Sequence, residues 1–175
     1  MLKRLRFAAL AGLTLVLALQ GQFDEYHVKA AFLYNFAKFV EWPPQTFKTP
    51  QDPIVIGVLG PSSLRKTLEE AVSGKAVEGR KFAVRELEDG ALRCDCQILF
   101  VASSERRRFR SMAGGLRGTA ILTVGETPGF AAEGGVINFK FEGDRLRFEI
   151  NVDAAEQEGL RISSKLLSLS QVVRK

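Results

Sequence analysis

The residues with the most evident chemistry are two cysteines, Cys94 and Cys96, which are separated by a single residue. In an oxidising compartment an even number of cysteines suggests a disulfide, but a bridge across one residue closes a small, strained ring and restrains little chain entropy. Three states stay open: a redox-labile disulfide, two free thiols, or an intermolecular bridge. A metal site is not indicated, because the chain has one histidine, His27, and no second cysteine pair.

A predicted β-hairpin carries a row of polar side chains. Residues 135–142 and 145–152 alternate apolar and polar positions, and Gly143-Asp144 between them is a two-residue hairpin signal. Pairing across this turn puts phenylalanines and isoleucines on one face, which must meet the core. On the other face the pairing sets these side chains opposite one another: Asn138 and Glu149, Lys140 and Arg147, Glu142 and Arg145.

The like charges of Lys140 and Arg147 lie opposite each other on this polar face. They are relieved diagonally by Glu142 and Glu149, or by an anionic group that the chain does not contain. The face is therefore interpreted either as a solvated surface or as a surface for a ligand or a partner. The candidate binding residues are polar side chains of the hairpin together with a lysine near the N-terminus: Lys29, Asn138, Lys140, Arg147, Glu149 and Asn151.

Lys29 lies in an aromatic-rich stretch from Val28 to Pro43. At 100° per residue the phenylalanines of this stretch fall on one side with Val28, Leu33 and Val40, which predicts an amphipathic helix that packs through an aromatic face. Lys29 projects into the apolar half. It either snorkels to water or is the buried partner of a carboxylate such as Glu149.

Nothing in the sequence predicts catalysis. The chain has no nucleophile elbow and no paired carboxylates at a recognisable spacing. An enzyme would need Glu149 or Lys29 with a perturbed pKa in a cleft. We therefore predict no catalytic residues, no metal and no cofactor.

The first 22 residues have the features of a signal peptide. A short basic segment precedes the apolar run Phe7–Leu19, which is too short for a membrane span of about 20 residues. Cleavage between Gln20 and Phe23 and retention as an uncleaved anchor both stay open. In either case residues 23–175 form the exported domain, and the periplasm is the expected location.

Export also bears on the basic charge of the chain. Three of its five net positive charges belong to the signal peptide. The arginines at 106–108 and Arg110 surround Phe109 and could touch nucleic acid or anionic lipid, but export and a nearly balanced domain argue against nucleic acid. A solvated helix face is the preferred interpretation.

The remaining segments indicate the elements that must position these residues. Short apolar runs at 54–59, 98–102 and 120–124 predict buried strands, and 81–87 predicts a partly exposed one. The alternation with helices predicts a single α/β domain, with a mixed, mostly parallel β-sheet flanked by α-helices and a C-terminal antiparallel hairpin. The glycine-rich loop 125–135 follows a strand, which is where α/β folds keep their sites.

Four helices are predicted after the first one. A helix at 64–72 is expected to be capped by Ser62 or Ser63, and the next to open at Ser103-Ser104-Glu105. Asp153 is expected to cap a short helix. The spacing of Ile162, Leu166, Leu169 and Val173 predicts an amphipathic helix at the C-terminus.

Two sequence blocks resemble the signature of the YfiR-like family of bacterial periplasmic proteins. They are VKAAFLYNFAKFVEWP at 28–43 and GGVINFKFEGDRLRFEINVDAAEQEGLRISSKLLSLSQVV at 134–173, with CQILFVASSE between them. The resemblance implies an α/β domain and the function of a periplasmic repressor. Such a repressor docks on the sensory domain of an inner-membrane diguanylate cyclase and restrains cyclic-di-GMP synthesis until redox or envelope stress releases it. Cys96 matches a family cysteine, but the partner of that cysteine has no counterpart here.

We therefore expect a non-enzymatic exported binding module that regulates a membrane partner. The alternative is a periplasmic ligand-binding protein in which Lys140, Arg147, Glu149 and Asn151 hold a small anion. Nucleic acid is not an expected partner. The oligomeric state, including a homodimer, is left open.

Overall fold

The computed structural model describes residues 25–88, 91, 93–143 and 145–174. The predicted signal peptide, residues 1–22, lies outside the described residues, as does Asp144 of the hairpin turn. Within the described ranges, no helix has the length and hydropathy needed to cross a membrane.

The chain alternates helices and strands over most of its length. Residues 25–39 belong to helix α1, and the other helices are α2 (Ser62–Val72), α3 (Arg106–Leu116), α4 (Val152–Gln157) and α5 (Ser164–Leu167). The strands are β1 (Val40–Glu41), β2 (Ile54–Leu59), β3 (Ala76–Val77), β4 (Arg80–Glu86), β5 (Ile98–Val101), β6 (Leu122–Gly125), β7 (Ile137–Glu142), β8 (Arg145–Asn151), β9 (Arg161–Ile162) and β10 (Gln171–Val173). Turns of 3-10 helix lie at Pro44–Thr46 and Ser103–Glu105.

The main sheet has eight strands in the order β10-β8-β7-β6-β5-β2-β4-β3, and β1 pairs with β9 separately. Strands β4, β2, β5, β6 and β7 run parallel to one another, whereas β8 is antiparallel to β7. The predicted mixed, mostly parallel α/β domain with a C-terminal antiparallel hairpin is therefore confirmed.

Helices cover both faces of this sheet. On β2, Ile56 and Val58 pack in the cluster that contains residues of α1 and α2, whereas Val55 and Leu59 pack in the cluster with α3. Successive side chains of a strand point to opposite faces, so every residue of β2 is buried. This is why its sequence is a continuous apolar run and not an alternating one.

The hairpin has the predicted register. Phe139 pairs with Phe148 and Ile137 with Ile150 on the core side, and the polar pairs follow the same alignment. The rings of Phe139 and Phe148 lie 5.8 and 5.2 Å from that of Phe36 in α1. Each such aromatic pair contributes about 0.5–1.5 kcal/mol beyond the burial of its area. The aromatic face of α1 is thus bound to the hairpin.

Helix α1 ends earlier than predicted. It stops at residue 39, and Val40 pairs with Ile162 as part of the β1–β9 ladder. A β-branched residue followed by Glu41 and an aromatic side chain suits an extended strand better than a last helical turn. Val28, expected on the buried face, is exposed.

The C-terminal segment differs most from the prediction. The apolar stripe at 162–173 does not form one helix: Ile162 lies in β9, α5 is a single turn capped by Ser163, and Gln171–Val173 form strand β10 beside β8. Adjacent valines favour a strand once an open sheet edge is within reach.

Helix caps also differ from the prediction. Helix α4 is capped by Asn151, whose side chain accepts a hydrogen bond from the Ala154 N–H, and not by Asp153. The residue before α2 is Pro61, with no side-chain cap. The serines expected to cap α2 lie inside the helix, and Ser103 precedes α3 in a 3-10 turn.

Candidate functional site

A cleft of about 560 Å³ lies where β5 and β6 end and β7 continues. Strand β6 pairs with β7 only at Ile137 and Asn138, while β7 runs on to Glu142. In the described chain, the edge of β7 beyond Asn138 has no strand partner on the β6 side, so it forms a wall of the cleft. The lining residues come from α1, the ends of β5 and β6, and the hairpin: Glu25, Lys29, Ser103, Glu126, Pro128, Gly129, Asn138, Phe139, Lys140, Phe141 and Glu149.

Lys29 is at the inner side of this cleft and is 2% exposed. Its ammonium group donates to Glu25, one turn earlier on α1, and to Glu126 in the loop after β6. The Ser103 N–H donates to the other oxygen of Glu126 over 2.8 Å, which fixes that carboxylate. Lys29 is therefore buried and paired, and its partner across the fold is Glu126 and not Glu149.

The two carboxylates determine the protonation of Lys29. Burial alone would lower the pKa of the ammonium group. The hydrogen bonds and charges of Glu126 and Glu25 outweigh burial and raise the pKa of Lys29 above its ordinary value. The ammonium is therefore charged at neutral pH and is neither a general base nor a nucleophile.

The polar face of the hairpin is internally paired. Glu149 accepts a hydrogen bond from Asn138 Nδ2 at 3.2 Å and forms an ion pair with Lys140 at 3.4 Å. Arg147 lies 3.8 Å from Glu142. The diagonal relief of the like charges is therefore provided within the chain. Lys140 also donates to Gln171 of β10 over 3.0 Å.

Four of the six predicted binding residues line the cleft: Lys29, Asn138, Lys140 and Glu149. Arg147 lies outside it on the exposed side of the hairpin. Asn151 is also outside, because its amide donates to the Ala131 carbonyl over 2.7 Å and accepts from Ala154, which are structural contacts.

Two carboxylates of the cleft, Glu25 and Glu126, are not among the residues predicted from the sequence. Glu25 is four residues before Lys29, and that spacing is the usual sign of an ion pair on a helix. Glu126 follows β6 in the loop 125–135, where the sequence predicts a site. It lies 97 residues from Lys29 in the sequence, so no local pattern indicates that the two side chains pair.

The charge balance of the cleft is acidic. Three carboxylates, from Glu25, Glu126 and Glu149, face two ammonium groups, from Lys29 and Lys140. Both ammonium groups are already paired with carboxylates. This balance does not favour the small anion considered from the sequence.

The cysteines lie away from this cleft. Cys94 and Cys96 form an intramolecular disulfide with a Cα–Cα distance of 5.3 Å. The bridge packs over Gly57 in β2, where a Cβ would lie 2.6 Å from the Cys94 sulfur. Among the described residues, no group of three or more His, Cys, Asp or Glu side chains could hold a metal ion.

Comparison with known proteins connects this architecture to a family. The model of the DUF4154 family, described as YfiR/HmsC-like, matches residues 26–171. The chain belongs to this family. The family is known for periplasmic regulation of diguanylate cyclases and is regulatory rather than catalytic.

Solved structures share the fold at low sequence identity. A conserved domain protein from Vibrio cholerae O1 biovar El Tor aligns with a TM-score of 0.53 and 14% identity, covering 70% of this chain and 55% of that one. An ABC domain from Streptococcus pneumonia, solved in complex with L-Trp, aligns with a TM-score of 0.51 and 13% identity, covering 68% and 56%. The chain therefore spans little more than half the length of these two structures. At such identities the likeness shows the fold alone.

Proposed function

We propose that this protein is a non-catalytic periplasmic regulator that binds the sensory domain of an inner-membrane signalling protein such as a diguanylate cyclase. Membership of the YfiR/HmsC-like family supports the class of function. The predicted signal peptide supports the location. In this role the protein represses the output of its membrane partner, here cyclic-di-GMP synthesis.

The distribution of exposed apolar side chains carries the proposal. Among the described residues, four large hydrophobic side chains are markedly exposed: Val28 (46%), Phe141 (54%), Leu169 (64%) and Val172 (45%). They lie on α1, the hairpin and the C-terminal segment.

The three elements that carry these side chains are in contact with one another. The Phe141 ring centroid lies 5.7 Å from the ammonium of Lys29, the neighbour of Val28. Strand β10, with Val172, pairs with β8 of the hairpin. Exposed apolar side chains that adjoin charged ones, such as Lys140 and Glu142, are typical of protein–protein interfaces.

The internal pairing of the cleft also favours binding over catalysis. Lys29 is held as a cation between two carboxylates, and Glu149 is held by Asn138 and Lys140. These contacts orient and neutralise the groups that an enzyme would need to keep reactive.

A pull-down from envelope extracts tests the proposal. The tagged full chain should capture an inner-membrane protein with a periplasmic domain. The Phe141→Ser/Leu169→Ser variant should capture at least about tenfold less of that protein. Lys66→Ser, on the exposed side of α2, is the control and should capture as much as the wild type. The melting temperature of each variant shows that the fold is retained.

Cyclic-di-GMP provides the functional readout. Deletion of the gene should raise its cellular level, and the wild-type chain but not the double variant should restore it. If no membrane protein is recovered and the level does not change on deletion, the proposed role as a repressor is wrong.

A further inference from the structure

We propose that the cleft beside β7 binds a small organic cation, with a protonated amine held by Asn138 and the surrounding carboxylates and its hydrocarbon part resting on Phe141. This inference rests on the groups that line the cleft, and it holds whether or not the chain regulates a membrane partner.

The amide of Asn138 determines which kind of ligand group it can bind. Asn138 is 1% exposed and lines the cleft, and its Oδ1 is buried without a hydrogen-bond partner. The orientation of the amide is set by Glu149, because its NH₂ group and not its oxygen must face the carboxylate. The amide atom that has no hydrogen-bond partner is therefore an acceptor oxygen. A ligand that satisfies it must bring an N–H or O–H donor.

The carboxylates favour a charged donor over a neutral one. Glu149 is bonded to the same amide, so a donor that reaches Asn138 Oδ1 comes close to this carboxylate. Together with Glu126 and Glu25 it leaves the cleft one formal negative charge after Lys29 and Lys140 are counted. An ammonium group completes this balance, whereas a carboxylate or phosphate would add to the repulsion.

The cleft also offers an apolar surface for the rest of the ligand. Phe141 is half exposed although the other core-facing phenylalanines of the hairpin are buried. Its ring adjoins the paired ammonium of Lys29, and Pro128 and Gly129 also line the cleft. A hydrocarbon chain or ring can therefore pack against the Phe141 ring and Pro128.

Three probes of similar shape separate charge from apolar contact. Binding of 2-phenylethylamine, 2-phenylethanol and phenylacetate to the purified chain is measured by isothermal titration calorimetry at neutral pH. The amine should bind at least about tenfold more tightly than the alcohol, since a hydrogen bond from a charged donor is stronger than one from a neutral donor. Phenylacetate should not bind. On addition of the amine, the Asn138 side-chain NH₂ resonances of the unaltered protein should shift in an NMR spectrum.

Matched variants locate the site. Asn138→Ala and Glu149→Gln should each weaken amine binding by about tenfold or more. Glu142→Gln removes the same charge from the exposed end of the same hairpin, outside the cleft, and should change the affinity by less than about twofold. Melting temperatures identify any variant that does not fold. For such a variant, the NMR shifts of the wild-type protein show whether the amine binds at Asn138.

The proposal is overturned by several results. Equal affinity for the amine and phenylacetate would show that the cleft does not select a cation. If Glu142→Gln and Glu149→Gln reduce the amine affinity equally, the amine binds elsewhere. The same conclusion follows if the amine does not shift the Asn138 side-chain resonances. A failed pull-down would contradict only the regulatory role, because this titration uses the chain alone.

Discussion

At the scale of single residues, Lys29 joins the first described helix to a loop that lies 97 residues later in the sequence. Its ammonium contacts two carboxylates, one of them held by the Ser103 N–H. A buried charge that loses its partner is costly, because the remaining carboxylate is left desolvated. The pair therefore ties α1 to the carboxyl ends of β5 and β6.

Replacing this lysine should destabilise the fold. Lys29→Met is expected to lower the free energy of unfolding by about 3 kcal/mol, measured by urea denaturation at pH 7. Lys38→Met, on the exposed side of the same helix, should change it by less than about 0.5 kcal/mol. Combining Lys29→Met with Glu126→Leu should recover part of the loss. Stabilisation by Lys29→Met alone would show that the lysine is unpaired.

The pKa of Lys29 adds a pH dependence at the alkaline end. Because the folded-state pKa is raised above the ordinary value of 10.5, the stabilisation is fully present below that value. It is lost as the pH rises through the folded pKa. The difference between wild type and Lys29→Met should thus be constant around neutrality and shrink only above about pH 10.5.

The disulfide is a second residue-scale feature, and its contribution to stability should be small. Closing a loop of about three residues restrains the unfolded chain by only about 1.5 kcal/mol. Reduction of the Cys94–Cys96 bridge should therefore lower the free energy of unfolding by no more than about that amount. The reductant should leave a Cys94→Ala/Cys96→Ala variant unchanged. A loss above about 3 kcal/mol would show that the bridge stabilises more than its own loop.

At the scale of elements, Phe130 fixes the loop that carries Glu126. Its ring lies 4.4 Å from that of Phe109 in α3, and Gly125 and Gly135 leave space for it at both ends of the loop. A Cβ on Gly135 would lie 2.0 Å from the Phe130 ring, which cannot shift without leaving the core. The loop, and with it one wall of the cleft, depends on this close approach.

Gly135→Ala should therefore destabilise the protein by about 2 kcal/mol or more, through overpacking against a buried ring. Adding Phe130→Leu should relieve the clash and recover part of the stability. The matched control is Gly114→Ala in α3, where nothing lies within 4 Å, and it should stabilise by about 0.5–1 kcal/mol. Thermal denaturation distinguishes the three variants. Equal behaviour of the two glycine variants would contradict the packing argument.

The same loop is joined to α3 by charge. Glu133 accepts hydrogen bonds from Arg110 and Arg106, which lower its pKa from 4.5 to about 2. A carboxyl with a lowered pKa stabilises the fold above its ordinary pKa, and the contribution disappears as the pH falls from 4.5 towards 2. The arginine run that looked like a solvated face thus has two members that hold this loop.

Unfolding measured between pH 7 and pH 2 tests this contribution. Wild type should be more stable than Glu133→Gln at pH 7, and the difference should shrink as the pH falls below 4.5. Arg106→Gln/Arg110→Gln should reproduce the loss, whereas Arg107→Gln, exposed on the same helix, should not. A difference that persists at pH 2 would assign the effect to packing and not to charge.

Elements with a local cause were predictable from the sequence. The hairpin register follows from strict alternation and a two-residue turn, and the buried strands follow from continuous β-branched runs. The C-terminal strand was not predictable, because Gln171–Val173 form it only beside the edge of β8, which the local pattern does not contain. Similarly, the alternation that places Asn151 on the polar face does not indicate that its side chain caps α4.

At the scale of the whole molecule, the core joins the two ends of the described chain. Phe148 of β8 contacts both Phe32 and Phe36 of α1, with ring centroids 5.6 and 5.2 Å apart. The candidate site depends on the same arrangement, because both α1 and the hairpin supply residues that line the cleft. Four of the cleft residues are predicted one by one from the sequence. Only the folded structure shows that they line the same cleft.

Truncating this central ring should weaken the entire domain. Phe148→Ala is expected to cost about 3–5 kcal/mol. Hydrogen exchange should show lost protection in both α1 and the hairpin. Phe141→Ala removes an exposed ring from the same hairpin and should cost less than about 1 kcal/mol. If only the hairpin loses protection, the two ends of the chain fold independently.

The pairing of α1 with the hairpin has a consequence for the order of folding. Lys29 pairs with Glu126, which is 97 residues later in the sequence. The aromatic face of α1 packs against β7 and β8, which are synthesised more than 90 residues after the helix. Until those strands are available, the phenylalanines of the helix stay exposed to solvent, and Lys29 is paired only with Glu25 of the same helix. Contacts of such long sequence separation slow folding. We therefore expect α1 to acquire its packing late in folding, once the C-terminal third of the chain is available.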